Sequence, residues 1–209
     1  MDGVKDTLEV YSLIREKLQS AIALKQALFL DEAFHRSVIQ VASRIIQSLT
    51  SGGKVIFFGN GGSAADAQHL AAEFTGRYLK ERAALPALAL SVNSSSLTAI
   101  GNDYGFDLVF ARQLEALGRA GDVAIGISTS GNSPNVVRGL EAAKSKSLFT
   151  VSLTGRSGGK MTDVVDCAIY IPSNETPRIQ ECHILTGHLI CEIVERELCD
   201  RLGTHEQKI

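Results

Sequence analysis

The spacing of apolar residues changes near residue 54. Before it, Leu8, Tyr11, Ile14, Leu18 and Ile22 recur every three or four positions, and so do Phe34, Val38, Val41, Ile45 and Leu49. This is the period of a helix with one apolar face. It predicts two helices over residues 5–50, parted by a break at Leu28–Asp31, the second ended by Ser51-Gly52-Gly53. From Lys54 the apolar residues form short continuous runs: Val55-Ile56-Phe57-Phe58, Leu88-Ala89-Leu90, Val123–Ile127, Phe149–Leu153 and Ala168–Ile171. Runs this short and unbroken suit strands buried on both faces. Helical stretches are expected between most of them, at 63–76, 94–100, 107–118 and 134–146. A long amphipathic helix from about Arg178 to Leu202 closes the chain. Alternating strands and helices predict an α/β fold: a three-layer α/β/α sandwich on a five-stranded parallel sheet, with an N-terminal helical pair outside it. No linker, repeat or low-complexity segment interrupts the pattern. The expectation is one domain over 1–209, with 1–50 as a helical extension.

Charge and composition narrow the partners. The formal net charge is -2, so no global positive field draws in nucleic acid or an acidic membrane, and neither is expected as a partner. An anion would have to be bound locally. No apolar run approaches the ~18 residues of a membrane span. The start, Met1 to Asp6, is charged and lacks the apolar core of a secretory signal, so a cytoplasmic location is expected. Cys167, Cys182, Cys191 and Cys199 form no C-x-x-C pair and read as small buried hydrophobes of a reducing compartment.

Open α/β sheets bind ligands at the carboxyl ends of their strands. The first strand runs into Gly59-Asn60-Gly61-Gly62-Ser63 and then directly into helix. Glycines let a backbone approach a ligand, and a helix start offers unpaired N–H groups. Ser63 stands where a helix cap belongs. Such a turn alone is a weak signal, since a capped tight turn looks the same. The third strand, however, ends in Ser128-Thr129-Ser130-Gly131-Asn132-Ser133-Pro134, again before a helix. Two such loops in one sheet predict a phosphate cradle built from hydroxyls, backbone amides and helix dipoles, with no lysine. No Gly-Lys-Ser/Thr follows either loop, and the glycine order does not fit the dinucleotide fingerprint.

These two loops together resemble the sugar isomerase (SIS) domain superfamily, whose fold is flavodoxin-like. Within it the chain is similar to the phosphoheptose isomerase family. The likeness continues through His69-Leu70-Ala71-Ala72-Glu73-Phe74-Thr75-Gly76-Arg77-Tyr78, Gly101-Asn102-Asp103-Tyr104-Gly105-Phe106, Leu153-Thr154-Gly155 and Arg178-Ile179-Gln180-Glu181, covering nearly the whole chain. The resemblance implies that Glu73 and His188 act as an acid–base pair. It also implies that His69, Glu73, Gln180 and His188 ligate one divalent metal per subunit, zinc first. Implied substrate contacts are Asn60, Gly61, Gly62, Ser63, Arg77, Asn102, Asp103, Ser128, Thr129, Ser130, Ser133 and Gln180. Some family members carry Asp where this chain has Pro177, so that contact is lost or replaced by Thr176. The implied assembly is a homotetramer formed through residues 1–50.

The residue types suit the implied reaction, conversion of sedoheptulose 7-phosphate to D-glycero-D-manno-heptose 7-phosphate. Moving a proton between C1 and C2 through an enediol needs a base, an acid at the oxygens and stabilisation of negative charge. His69 and Glu73 are four apart and share a helix face. Gln180 and His188 are eight apart, about 12 Å of rise and about 80° past whole turns, so they reach one point only by leaning together. Two imidazoles, a carboxylate and an amide oxygen suit zinc without excluding nickel, cobalt or manganese. Glu73 stands in both the catalytic and the ligand set. Two other functions compete: a non-catalytic SIS protein that binds a phosphosugar or a replication-initiator partner, and an isomerase of a shorter sugar. The binders typically lack the carboxylate and the last histidine, and both are here. The pentose relatives usually carry a further regulatory domain, for which 209 residues leave no room.

Overall fold

A computed structural model describes residues 7–202. The expectations for Met1–Asp6 and for His205 concern residues outside this range. Helix α1 spans Thr7–Leu30 and α2 spans Glu32–Thr50. The break between them is one residue, Asp31, whose Oδ1 accepts the N–H groups of Ala33 at 2.8 Å and Phe34 at 3.1 Å. This is an N-cap, and it starts α2 without a longer loop.

The two helices behave differently. Helix α2 buries Phe34, Val38, Val41, Ala42, Ile45 and Ile46 in the main core. It therefore belongs to the sandwich and is not an appendage, as the sequence pattern had suggested. Helix α1 buries only Leu24 and Leu28. Its predicted stripe of Leu8, Tyr11, Ile14, Leu18 and Ile22 is 49–79% exposed.

Strands β1 (Val55–Gly59), β2 (Ala87–Ala89), β3 (Val123–Ser128), β4 (Phe149–Thr154) and β5 (Cys167–Tyr170) form one parallel sheet in the order β2-β1-β3-β4-β5. This is the flavodoxin-like order, which reverses direction between β1 and β3 and opens a ligand crevice there. Gly59 pairs with Ile127, so the loops after β1 and β3 leave the sheet side by side. On one face, Phe57, Ile125, Ile127, Val151 and Leu153 pack under α2, α3 (Gly62–Thr75) and α7 (Thr176–Leu202). On the other, Ile56, Phe58 and Ala124 pack under α5 (Ala111–Leu117) and α6 (Pro134–Ser145).

Boundaries moved where local chemistry outweighed periodicity. Helix α4 runs over Ser94–Tyr104, longer than expected, and stops at Gly105, whose φ of 90° suits a glycine after a helix end. The stretch expected as one helix over 107–118 splits into a short 3₁₀ turn, Phe106–Leu108, and α5. Between them Val109 and Phe110 turn into the core, Phe110 lying 5.4 Å from Phe58 ring to ring. Helix α7 starts two residues early because Pro177 falls in its first turn, where a missing N–H costs nothing. All four cysteines are buried and unpaired, as expected.

Candidate active site

The loop after β1 turns into helix earlier than expected. The N-cap of α3 is Gly61, at φ 55°, with no side chain to cap it. Ser63 lies instead inside the first turn, 4% exposed. A glycine at positive φ makes the sharp entry possible. The N–H groups of Ser63 and Ala64 turn back to the carbonyls of Asn60 and Gly61, each at 3.0 Å, and the helix start presents the positive end of its dipole with no side chain over it. At Gly62 a Cβ would meet the side-chain amide of Gln180, so the amide as placed rests directly on the start of α3.

The loop after β3 folds its hydroxyls together. Ser128 Oγ lies 2.9 Å from Ser133 Oγ and 3.3 Å from Ser130 Oγ. Ser133 is the N-cap of α6 but makes no capping bond, and Pro134 follows it. A second helix start therefore faces the crevice. Thr129 is half-buried, and its carbonyl accepts the N–H of Gly155 at 3.0 Å, tying this loop to the end of β4. Arg156 follows at once. It shares a hollow of about 240 Å³ with Thr129, Ser130, Asn174 and Thr176. The lining of this hollow includes no lysine, and Arg156 stands at its edge. Thr176, the expected substitute for the missing Asp, lines the same hollow.

Asn60 and Asn135 exchange two amide hydrogen bonds, at 2.8 and 2.9 Å. They bolt the two loops together. Asn135 is 2% exposed and was not singled out from sequence, where it reads as an ordinary first-turn residue. The pairing occupies the Asn60 amide, which was expected to touch substrate directly.

Helices α3 and α7 run side by side in the same direction. Gly62 meets Gln180 at one end, and Leu70 packs against the Cα of Gly187 further along. This pairing brings together residues 119 positions apart: His69 Nε2 lies 3.0 Å from His188 Nε2 and 3.1 Å from Glu73 Oε1. One ligand atom from each of His69, Glu73 and His188 lies within 4.8 Å of the others. Burial, and then the neighbouring His69, hold the His188 imidazole below the usual histidine range against the pull of Glu73. Gln180 lies on α7, to one side of this cluster. Its amide rests on Gly62, seven residues or about 10 Å of helix before His69.

Three other expected contacts lie at the surface. Arg77 is exposed after α3, its Nε 3.8 Å from Glu81. Asn102 and Asp103 bond to each other at 2.8 Å on the exposed end of α4. Sequence reasoning also missed Tyr78, whose ring centroid is 5.5 Å from that of His188, and the buried pair Arg82–Glu195.

The triad suits a divalent cation. Two donor pairs about 3 Å apart, with all three atoms within 4.8 Å, are close enough to share one small coordination sphere, where metal–nitrogen and metal–oxygen bonds are about 2.0–2.2 Å. Two imidazole nitrogens and a carboxylate oxygen are the donor set zinc favours.

A parallel sheet of this order, with two uncapped helix starts at its switch point, defines a phosphosugar-binding domain of the SIS type, and the family described as the SIS domain matches residues 20–155. The chain is 58% identical over 163 residues to a phosphoheptose isomerase of Rhodospirillum rubrum, covering 78% of this chain and 87% of that one. It is 55% identical over 170 residues to one of Aquifex aeolicus, covering 81% and 89%. The solved phosphoheptose isomerase of Neisseria gonorrhoeae superposes with a TM-score of 0.84 at 44% identity, covering 90% of this chain and 99% of that one. The chain belongs to the phosphoheptose isomerase family. Among the described residues, no helix is long and apolar enough to cross a membrane.

Proposed function

We propose that this chain is a cytoplasmic isomerase that converts D-sedoheptulose 7-phosphate to D-glycero-D-manno-heptose 7-phosphate, the entry to nucleotide-activated heptose. The observation that carries this reading is the convergence of Glu73 and His188 on His69, along the helix that begins at the first of the two phosphate loops. The phosphate would sit at the positive ends of the α3 and α6 dipoles and on the hydroxyls of Ser63, Ser128, Ser130 and Ser133. Gly61, Gly62, Thr129 and Gln180 line the path from there to the triad, and Asn60 acts through its bond to Asn135. Glu73 and His188 together take the proton from one carbon, return it at the neighbour and serve the two oxygens. The His188 imidazole, held below its usual range, is uncharged and able to accept a proton at neutral pH. One divalent ion, zinc first, would be held by His69, Glu73 and His188. Gln180 could join by a side-chain rotation away from Gly62. Such an ion would supply Lewis-acid stabilisation of negative charge.

Incubation with sedoheptulose 7-phosphate, followed by proton NMR, is expected to give new anomeric signals. Their absence with fully folded protein would overturn the reading. Exhaustive chelation is expected to remove activity, and zinc or a similar ion to restore it. Full turnover by protein shown metal-free by elemental analysis would refute the metal assignment.

The assembly follows from α1. We take residues 1–209 as one SIS domain whose N-terminal helices mediate a homotetramer, with α1 supplying the uncovered stripe. An apolar helix face of this length needs a cover, and closed symmetric assemblies are the usual solution. Arg77, Asn102 and Asp103, exposed in one chain, would then reach substrate at subunit contacts. Light scattering is expected to give about four times the 22.4 kDa chain mass. A fully active species at the single-chain mass would refute it.

A further inference from the structure

We propose that Arg82 and Glu195 are positioning residues for the acid–base pair, acting on Glu73 through its backbone and on His188 through Tyr78. The inference rests on the catalytic assignment of those two residues. The Arg82 side chain is 8% exposed and that of Glu195 2%, and they pair at 3.1 Å. Each also holds a set of backbone groups. Glu195 Oε1 accepts the N–H of Tyr78 at 3.0 Å, and Oε2 accepts those of Leu79 at 2.7 Å and Lys80 at 2.8 Å. Burial alone would push the Glu195 carboxyl up, but these N–H groups and Arg82 hold it below the usual range. Arg82 donates through Nη2 to the carbonyl of Glu73 at 2.7 Å, and through Nη1 to those of Phe74 at 2.9 Å and Gly76 at 3.2 Å.

The guanidinium therefore closes the C-terminus of α3, where carbonyls lack helical partners and positive charge is favoured. Glu73 lies in that last turn, so its main chain is fixed at the carbonyl next to its own side chain. Glu195 lies seven residues beyond His188 on α7, two turns along the same helix. By holding the Tyr78 N–H it sets the ring that leans on the His188 imidazole at 5.5 Å and 31°. One ion pair thus reaches both members of the acid–base pair from behind. A buried ion pair is a weak device for stability, because its desolvation cost rivals its attraction. Here it orders a segment whose residues 79–81 are exposed and offer little packing.

Glu195→Gln tests this. The amide keeps the shape but supplies one acceptor oxygen where two are in use. The expected result is a fall in kcat of about 10²-fold, the size of a misplacement near 1 Å, with KM changed little. Cobalt binding at the triad, followed by its visible absorption, is expected to weaken about 10–100-fold. The control is Asp122→Asn, just before the amino end of the central strand β3 and so at the end of the sheet opposite the site loops. Asp122 is 1% exposed, pairs with Lys54 and accepts the N–H of Lys54 at 3.0 Å and of Arg119 at 2.9 Å. It is as buried and as bonded, so it should lose stability while keeping kcat and cobalt affinity. If Glu195→Gln does not fold, Arg82→Lys takes its place, retaining the charge but losing the fork that holds Glu73. Wild-type kcat and cobalt affinity in either folded variant would overturn the proposal, as would an equal loss in Asp122→Asn. If wild-type protein fails to turn over the heptose phosphate, the reaction is wrong, and cobalt affinity still decides whether the pair positions the triad.

Discussion

Glu73→Gln and His188→Ala are each expected to lower turnover by about 10²–10⁴-fold while the protein stays folded, because a positioned proton transfer is typically worth that much. Neither side chain belongs to the buried apolar core. The Glu73 side chain is 22% exposed, and its contact with His69 at 3.1 Å lies at the surface edge, where such a contact is worth little to folding. Glutamine preserves its shape, so substrate should still bind through the phosphate loops. Both variants also touch the candidate metal set. Metal content measured by elemental analysis separates a lost proton shuttle from a lost ion. A drop below about 100-fold in both, with metal retained, would show that these groups do not carry the proton.

Much of this architecture was written in period and punctuation. The unbroken run Val55-Ile56-Phe57-Phe58 became β1, with every residue buried, because a strand covered on both faces needs no polar alternation. The loops at Gly59–Ser63 and Ser128–Pro134 were legible because glycine, serine and proline carry local conformational meaning. Their meeting was foreshadowed by the expected α/β layout. What stayed hidden depended on long-range pairing. Asn60 and Asn135 are separated by 75 positions, and nothing in either neighbourhood marks the bond. Arg82 and Glu195 look like solvated charges on a loop and a helix, and only burial at 8% and 2% distinguishes them. The destinations of the two N-terminal helices were equally obscure. Their stripes look alike in sequence, yet α2 is drawn into the core along its length while α1 reaches it only through Leu24 and Leu28. Periodicity identifies an apolar face but does not say what covers it.

Acidification from pH 6.5 to pH 4 is expected to cost about 3 kcal/mol of folding stability through one residue, His183. Its side chain is fully buried on α7, and neither ring nitrogen has a hydrogen-bond partner of good geometry. Burial pushes its pKa down to about 4 from an ordinary 6.5, and the nearby Thr154 backbone opposes the shift only weakly. The unfolded chain therefore takes up a proton in this interval while the folded chain refuses it, and stability falls as pH falls. The difference of about 2.5 units, at about 1.4 kcal/mol each, sets the size. Below about pH 4 both states carry the proton and this contribution stops changing. His188, also held low, works in the same direction. The depressed carboxyls of Glu195 and Asp166 act in a lower window, their contribution fading as pH drops below the ordinary carboxylate range. Urea midpoints at pH 7.0 and 4.5, for the native chain and for His183→Leu, isolate the effect. Leucine fills a similar space and leaves no unpaired nitrogen, so near pH 7 it should be neutral or mildly stabilising. Its stability should then fall much less between the two pH values. An equal pH dependence in both proteins would mean that His183 is hydrated or hydrogen-bonded in solution and is not the source of the acid sensitivity.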